Sequence, residues 1–209
     1  MNDEVLAAVG RRHTAADIER AFELVRSIGF ESVNMDLIAG LPGESVESFS
    51  RSLERVLALG PDNVTVHALT LKRASTLAQE QELYERREQV AAMVDHARKR
   101  VRAAGLVPYY LYRQKNTIGS LDNTGYALSG KEGFYNVFIM DETHTIFAAG
   151  AGAVTKLRAP RGDTIERIYN YKFPSEYLAN YAALKERKER VKRFYETHQQ
   201  TEKLHYSDV

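Results

Sequence analysis

The chain has 209 residues, of which 44% are hydrophobic and 27% charged, a composition that supports a packed core rather than disorder. Its net charge of +1 provides no overall basic field of the kind that nucleic-acid-binding proteins carry. The absence of cysteine excludes disulfides, a thiolate nucleophile and cysteine-bound clusters within these residues. No apolar run approaches the roughly 20 residues of a membrane span, and no signal-peptide pattern opens the chain, so we expect a cytoplasmic protein.

The first 28 residues are predicted to form two helices separated by a short basic break. Apolar residues recur at helical spacing in both, and Thr14 with Asp17 three residues later is typical of a helix N-terminus. Arg11 lies in the break, directly before two further basic residues, Arg12 and His13. These residues are expected to form either a solvated basic loop or a clamp for an anionic ligand.

The stretch Asn34–Glu44 is predicted to be a strand that ends in a glycine-rich turn and opens a helix. A parallel strand buried on both faces is apolar nearly throughout, and Asp36 departs from that pattern. A buried carboxylate needs partners, because burial without them is costly. Two explanations remain open. Either backbone groups or an arginine satisfy Asp36, or the carboxylate belongs to a ligand site at the strand end.

The next elements predict a β-α-β unit. Ser45–Leu59 has the apolar stripe of an amphipathic helix, and Asn63–Leu71 has the composition of a second strand. This spacing predicts parallel strands joined by a right-handed crossover. We expect His67 in the second strand to be a core histidine bonded to backbone, because no second histidine lies nearby at metal-ligand spacing.

The remainder of the chain is predicted to change architecture near Gly105. Its first expected elements are a charged helix over residues 84–104, an aromatic strand over Val107–Tyr112 and glycine-rich loops over Ile118–Gly133. Its last expected elements are an antiparallel hairpin of Phe134–Met140 with Thr145–Ala149, a strand over Ile165–Tyr171 and a helix from Ser175 to about His198.

Four groups of residues carry a resemblance to a known family. They are Asn2–Leu6 with Gly10–Thr14, Asn34–Glu44, Val64–Leu69 with Lys72 and Arg73, and Tyr112–Asn116 with Asp122–Tyr126 and Gly150–Ala153. Together they resemble the oxygen-independent coproporphyrinogen III oxidase family of radical S-adenosylmethionine (SAM) enzymes. The fourth group is most similar to the HemZ-type coproporphyrinogen dehydrogenase branch. The resemblance covers nearly the whole chain up to about residue 195.

The resemblance implies an α/β fold. Residues 1–104 would be the C-terminal part of a partial (β/α)6 radical SAM barrel with parallel strands, and residues 105–209 a smaller α+β domain with antiparallel strands and a terminal helix. It also implies SAM and a [4Fe–4S] cluster, which three cysteines of a CxxxCxxC motif hold. Because this chain has no cysteine, we expect a C-terminal fragment that is inactive alone and has the missing N-terminal half as its partner.

The family's reaction is the oxidative decarboxylation of two propionates of coproporphyrinogen III to vinyl groups, which gives protoporphyrinogen IX. In this sequence, Arg11 matches the arginine that contacts the SAM carboxylate, and Asp36 matches the aspartate at the SAM ribose. Thr70 falls where a strand-end residue contacts SAM. Arg113 and Lys115 are the expected partners of the porphyrinogen carboxylates.

Two other functions remain open for this sequence. One is a haem- or porphyrin-binding chaperone related to the same family. The other is an interaction domain without a small-molecule site, which Asp36 disfavours because an unpaired buried carboxylate would destabilise a purely structural sheet. No nucleic-acid or membrane partner is expected. An open half-barrel would expose a strand edge, so the fragment is also a candidate for self-association.

Overall fold

The computed structural model describes residues 1–70, 80–113 and 117–206, and it describes side chains for all of these except 80–85 and 199–206. The chain divides into two compact units, residues 1–137 and residues 138–209. Within the described part of the chain, no helix combines the length and the apolar character that crossing a membrane requires.

The first unit begins with the two predicted helices, α1 (Asp3–Ala8) and α2 (Ala15–Ile28). The side chain of Asn2 accepts hydrogen bonds from the backbone at the start of α1. Thr14 and Asp17 form a reciprocal capping box at the start of α2, as the sequence predicts. The basic break therefore follows the C-terminal end of α1 and leads directly into the capped N-terminus of α2.

A four-stranded mixed sheet forms the centre of the first unit, with strand order β1-β2-β4-β3. Strands β1 (Asn34–Ala39) and β2 (Asn63–Ala68) are parallel, and helix α3 (Val46–Leu59) connects them, which confirms the predicted β-α-β unit. Strands β3 (Val107–Tyr112) and β4 (Asn123–Ala127) are antiparallel to each other, and β4 is antiparallel to β2. Strand β1 therefore lies at the edge of the sheet.

Helices α3 and α4 (Glu80–Ala103) cover one face of this sheet. Alternate residues of β1 and β2 point toward these helices and form the core with them: Leu37, Ala39, Val64, Val66, Phe49, Leu53, Val56, Val90, Met93, Ala97 and Val101. The prediction that β1 is buried on both faces is wrong. The intervening residues Asn34, Asp36 and Ile38 are exposed, because none of the described helices packs over their face.

Strand β4 lies where the sequence predicted only glycine-rich loops, and that prediction is wrong. The segment is short, and Gly125 at its centre weakens the β-branched and aromatic signal of Thr124 and Tyr126. It is a strand because partners on both sides pair with it. The sheet thus continues past residue 105. The expected family domains, residues 1–104 and 105–209, need not coincide with the compact units, and that division stays a prediction.

The second unit contains a two-stranded antiparallel sheet of β5 (Val154–Arg158) and β6 (Ile165–Tyr169). Two helices follow, α6 (Pro174–Ala179) and α7 (Tyr181–Tyr206), where the sequence predicts one. The interruption lies at Asn180, whose side chain donates to the carbonyl of Glu176. The core of this unit consists of buried apolar residues from the sheet and α7: Leu157, Ala159, Ile168 and Phe194.

The predicted hairpin of Phe134–Met140 with Thr145–Ala149 is wrong. The first run is helix α5 (Phe134–Asp141), and the second makes only an isolated bridge between Ile146 and Lys156. An apolar run of this length has no periodicity that distinguishes helix from strand. Lys156 stabilises helix α5, because its Nζ donates to the carbonyls of Ile139 at 3.1 Å and Phe138 at 3.5 Å in the last turn.

Lys156→Met tests this end-cap, because methionine keeps the volume of the side chain and removes its charged donor. The Lys156 side chain is only 8% exposed, so the carbonyls of α5 would lose a buried partner that water replaces poorly. We expect the free energy of unfolding of the chain to fall by about 1–3 kcal/mol. Urea denaturation at pH 7, followed by circular dichroism, measures the change.

Lys192→Met is the matched control for this substitution. Lys192 is 73% exposed and pairs only loosely with Glu196, at 3.8 Å within α7. Its replacement should change the free energy of unfolding by less than about 0.5 kcal/mol. Equal stabilities for the two variants would show that Lys156 does not support α5.

Candidate functional site

A cavity of about 720 Å³ lies in the first unit, beside strand β1. Its lining includes the basic break after α1, the residues on both faces of β1, the start of α3 and the end of β2. Arg11, Asp36 and Thr70 all line this cavity. These three residues, which span 59 positions of the sequence, thus lie around one space. The family resemblance assigns all three to one ligand.

The turn after β1 shapes the cavity because it passes very close to α4. Gly40 has a φ of +91°, and a Cβ at this position would lie 2.4 Å from Cγ2 of Val90. Any other residue there would combine backbone strain with a steric clash. After this turn, Ser45 caps the N-terminus of α3 by accepting a hydrogen bond from the backbone of Ser48.

Asp36 provides the anionic group of the cavity. Its Oδ1 accepts a hydrogen bond from Asn34 Nδ2 at 2.6 Å, and its Oδ2 lies 3.6 Å from Nε2 of His67. The nearby imidazole of His67 and the amide of Asn34 lower the pKa of the Asp36 carboxyl, although partial burial acts in the opposite direction. The side chain is 58% exposed. It is therefore an ionised acceptor with lone pairs available to a ligand.

The structure also places His67 differently from the sequence prediction. His67 is not a core histidine bonded to backbone: its ring lines the cavity, and its Nδ1 lies 3.3 Å from the hydroxyl of Tyr112. The prediction was wrong because β2 is covered by helices on one face only, so its alternate residues reach the open face. Tyr112 lines the cavity as well, and the sequence reasoning gave it no role in the site.

Glu44 is a second carboxylate of the cavity that the sequence reasoning did not assign to a ligand site. Burial raises the pKa of its carboxyl to about 7, while the ammonium group of Met1 acts in the opposite direction. Within the described part of the chain, neither Oε2 of Glu44 nor the hydroxyl of Ser52 has a hydrogen-bond partner. Both residues line the cavity, together with apolar side chains of α1 and α3. This wall is less polar than the wall around Asp36.

Of the two predicted substrate residues, the structure describes only Arg113. The guanidinium of Arg113 makes a two-point ion pair with Asp122, with Nε–Oδ1 at 2.9 Å and Nη2–Oδ2 at 3.3 Å. Arg113 is not among the residues that line the cavity. Lys115 lies outside the described residues. The structure therefore brings together three of the five predicted site residues, all of them assigned to SAM.

The residues present fit a nucleoside ligand better than a metal centre. A half-exposed carboxylate, an exposed arginine in the basic break and an apolar wall surround a cavity large enough for a cofactor of this class. Among the described residues, no group of three or more histidine, aspartate or glutamate side chains is arranged to hold a metal ion. The sequence contains no cysteine to bind an iron–sulfur cluster.

Comparison with known proteins gives several relatives, although no protein-family model matches the sequence. The chain is 42% identical over 177 residues to the oxygen-independent coproporphyrinogen-III oxidase-like protein HemZ of Bacillus subtilis. This match covers 84% of the chain and 35% of the relative. The chain is also 28% identical over 154 residues to the haem chaperone HemW of B. subtilis, a match that covers 71% of the chain and 38% of the relative.

One solved structure matches the fold with a TM-score of 0.56. It is the coproporphyrinogen III oxidase HemN of Escherichia coli, described as a radical SAM enzyme, and the match covers 86% of this chain and 41% of that one at 20% identity. This likeness supports the α/β fold. The chain thus spans a little over a third of the length of the two curated relatives above.

Glu44→Gln should make the stability of the 209-residue chain less dependent on pH. A carboxyl whose pKa rises from its ordinary 4.5 to about 7 on folding favours the protonated form, so stability falls as pH rises from about 4.5 to about 7. The glutamine variant has no such titration. We expect it to avoid a loss of about 1–2 kcal/mol, a value reduced for solvent screening because the group is only half-buried.

Urea denaturation between pH 5 and pH 8 measures this difference. Glu47→Gln serves as the control, because Glu47 is an exposed carboxylate in the first turn of α3, three residues after Glu44, and hydrogen bonds to its own backbone and to Ser45 lower its pKa. This control should retain the fall in stability with rising pH. Parallel pH profiles for the wild type and Glu44→Gln would contradict the prediction.

Proposed function

The chain belongs to the family of oxygen-independent coproporphyrinogen III oxidases and their HemZ-type relatives, and from this premise we propose that it provides part of the SAM site of a porphyrin-biosynthetic radical SAM enzyme. The proposed enzyme converts propionate side chains of coproporphyrinogen III into vinyl groups by oxidative decarboxylation. The 209 residues are proposed to be a C-terminal portion of that enzyme and to be inactive alone. They would form the last strands of its partial barrel and the domain that follows.

The observation that supports this proposal is the position of Arg11, Asp36 and Thr70 around one cavity. The Asp36 carboxylate keeps acceptor sites that can bind both hydroxyls of a ribose, as acidic residues do in other nucleotide sites. Arg11 is exposed in the break between α1 and the capped start of α2, where its guanidinium can pair with the carboxylate of SAM. Thr70 would contact SAM from the end of β2.

When bound and reduced, SAM supplies the radical that removes a hydrogen atom from the substrate propionate. The residues of this chain would bind and orient SAM for that step. The chain has no cysteine, so the ligands of the iron–sulfur cluster would come from another part of a longer protein. The proposal therefore assigns to this chain a binding role rather than the reductive cleavage.

Arg113 and Lys115 are proposed to bind carboxylates of the porphyrinogen. A guanidinium matches a carboxylate in a two-point geometry, and Arg113 already holds Asp122 in this way. A propionate would have to replace Asp122 on this exposed arginine. The cost of that exchange is small, since exposed ion pairs contribute little stability.

A haem-binding chaperone is the second candidate function, and the likeness to HemW favours it. Chaperones of this group carry a His-Asn and a Tyr-Trp motif near the second domain, whereas this chain has Arg113-Gln114-Lys115-Asn116 there and no tryptophan. Titration with haem, followed by its Soret absorbance, separates the two functions. Tight haem binding without conversion of coproporphyrinogen III would favour the chaperone.

Asp36→Ala tests the ribose-binding role in the protein produced from its full reading frame. Loss of a charged acceptor for two hydroxyls should weaken SAM binding about 100-fold, while the half-exposed position limits the effect on melting temperature. Isothermal titration calorimetry measures the affinity. Asp95→Ala is the matched control, because Asp95 is also a half-exposed carboxylate, 57% against 58%, and it pairs with Arg98 on α4. Unchanged SAM affinity in Asp36→Ala would refute the proposed role.

The 209-residue chain alone should not cleave SAM after treatment with iron, sulfide and a reductant under anaerobic conditions. The physical reason is that it has no thiolate to bind the cluster. Chromatography of 5′-deoxyadenosine measures cleavage. Formation of this product by the chain, with the absorbance of a bound cluster, would refute the proposal that the chain provides only part of the enzyme.

A further inference from the structure

Six polar and aromatic residues form a connected network on the open face of the four-stranded sheet. One line joins Asp36 on β1 to His67 on β2 and then to Tyr112 on β3. A second line joins Asn34 on β1 to Thr65 on β2 and then to Tyr110 on β3, with Oδ1–Oγ1 at 3.1 Å and Oγ1–OH at 3.4 Å. The hydrogen bond from Asn34 to Asp36 connects the two lines.

This network crosses strand β4, which lies between β2 and β3, and Gly125 permits the crossing of the line through Thr65 and Tyr110. Gly125 pairs with Thr65 on one side and with Tyr110 on the other. A Cβ at this position would lie 1.8 Å from Cε1 of Tyr110, so the ring occupies the space above the glycine. The rings of Tyr110 and Tyr112 lie nearly parallel, 4° apart, with centroids 6.3 Å from each other. Across Gly125, the hydroxyl of Tyr110 therefore reaches Thr65 of β2 directly.

The geometry around His67 is consistent with one neutral tautomer. If the hydroxyl of Tyr112 donates to Nδ1, the ring proton lies on Nε2, which faces Oδ2 of Asp36. The distance of 3.6 Å from Nε2 to Oδ2 is longer than a hydrogen bond, so this contact is electrostatic in the absence of a ligand.

We propose that His67 and Tyr112 are positioning residues that hold the Asp36 carboxylate in the orientation that accepts the ribose hydroxyls of the bound nucleoside. This inference rests on the proposed function, because it assumes that Asp36 binds the ribose. Asn34 holds one carboxylate oxygen, and His67, oriented by Tyr112, faces the other. With both oxygens directed by neighbours, little rotational freedom is lost when a diol binds.

The alternative is that the network only ties the strands together. A structural role and a positioning role predict different ligand selectivities. A structural tie would affect every ligand of the cavity alike and would lower the melting temperature. A positioning role would affect selectively those ligands that carry both ribose hydroxyls, because only they use the orientation of Asp36.

The test measures the affinity of S-adenosylhomocysteine and of its 2′-deoxy and 3′-deoxy analogues for the protein produced from its full reading frame. Tyr112→Phe removes only the hydroxyl, and His67→Leu removes both ring nitrogens. His67→Gln is the conservative variant, since its amide can still donate to Asp36 and accept from Tyr112. Tyr109→Phe is the control, because its hydroxyl bonds to Asn136 and not to the network.

We expect His67→Leu to weaken binding of S-adenosylhomocysteine about tenfold and Tyr112→Phe about threefold, with much smaller effects on the deoxy analogues. His67→Gln and Tyr109→Phe should remain within about twofold of the wild type. In the His67→Leu background, Tyr112→Phe should have no further effect, because its hydroxyl acts through the imidazole.

Equal losses for all three ligands, accompanied by a lower melting temperature, would overturn the positioning role and leave a structural one. Wild-type selectivity in Tyr112→Phe and His67→Leu, with Asp36→Ala still defective, would also overturn it while the proposed SAM site stands. If Asp36→Ala itself binds S-adenosylhomocysteine normally, the proposed function fails, and the positioning role fails with it.

Discussion

The site depends on a sheet that helices cover on one face only. The parallel register of β1 and β2 sends Leu37 and Val66 together into the core against α3 and α4. The same register places Asp36 beside Thr65 on the opposite face, and His67 follows Thr65 two residues later on that face. Because side chains alternate along a strand, the apolar packing that stabilises the sheet also fixes the face on which the carboxylate lies. A slip by one residue would bury Asp36 and expose the core, so stability and function select the same register.

The two carboxylates of the cavity differ in pKa, because one lies in a polar wall and the other in an apolar wall. Polar neighbours lower the pKa of Asp36, whereas burial without a hydrogen-bond donor to Oε2 raises the pKa of Glu44 to about 7. At neutral pH, Asp36 is an anion and Glu44 is partly protonated. A cavity with one charged wall and one weakly charged wall suits a ligand that has a polyhydroxylated part and a less polar part, as a nucleoside has in its ribose and in the faces of its base.

Much of the first unit is predictable from sequence because its signals are local. The caps of α2, the amphipathic pattern of α3 and the turn at Gly40 each occur within a few residues. Asp36 could also be identified as a candidate site residue from local sequence, because it is a single charge in a largely apolar strand. The predictions failed where structure depends on distant partners. Strand β4 exists because β2 and β3 pair with it. The last turn of α5 has carbonyls that accept hydrogen bonds from Lys156 of β5, a residue distant in sequence.

The role of Gly125 shows why the site could not be completed from sequence. In the sequence it is one of several glycines in a polar segment, and nothing near it indicates an aromatic ring. In the sheet, Gly125 is the β4 residue that lies between Thr65 and Tyr110. If the register of β4 shifted by one residue, the side chain of Thr124 or Tyr126 would fill the space that the Tyr110 ring occupies. The register of β4 therefore decides whether β3 can reach the residues around Asp36. Pairing of three strands far apart in sequence, rather than any single motif, sets the environment of the proposed ribose acceptor.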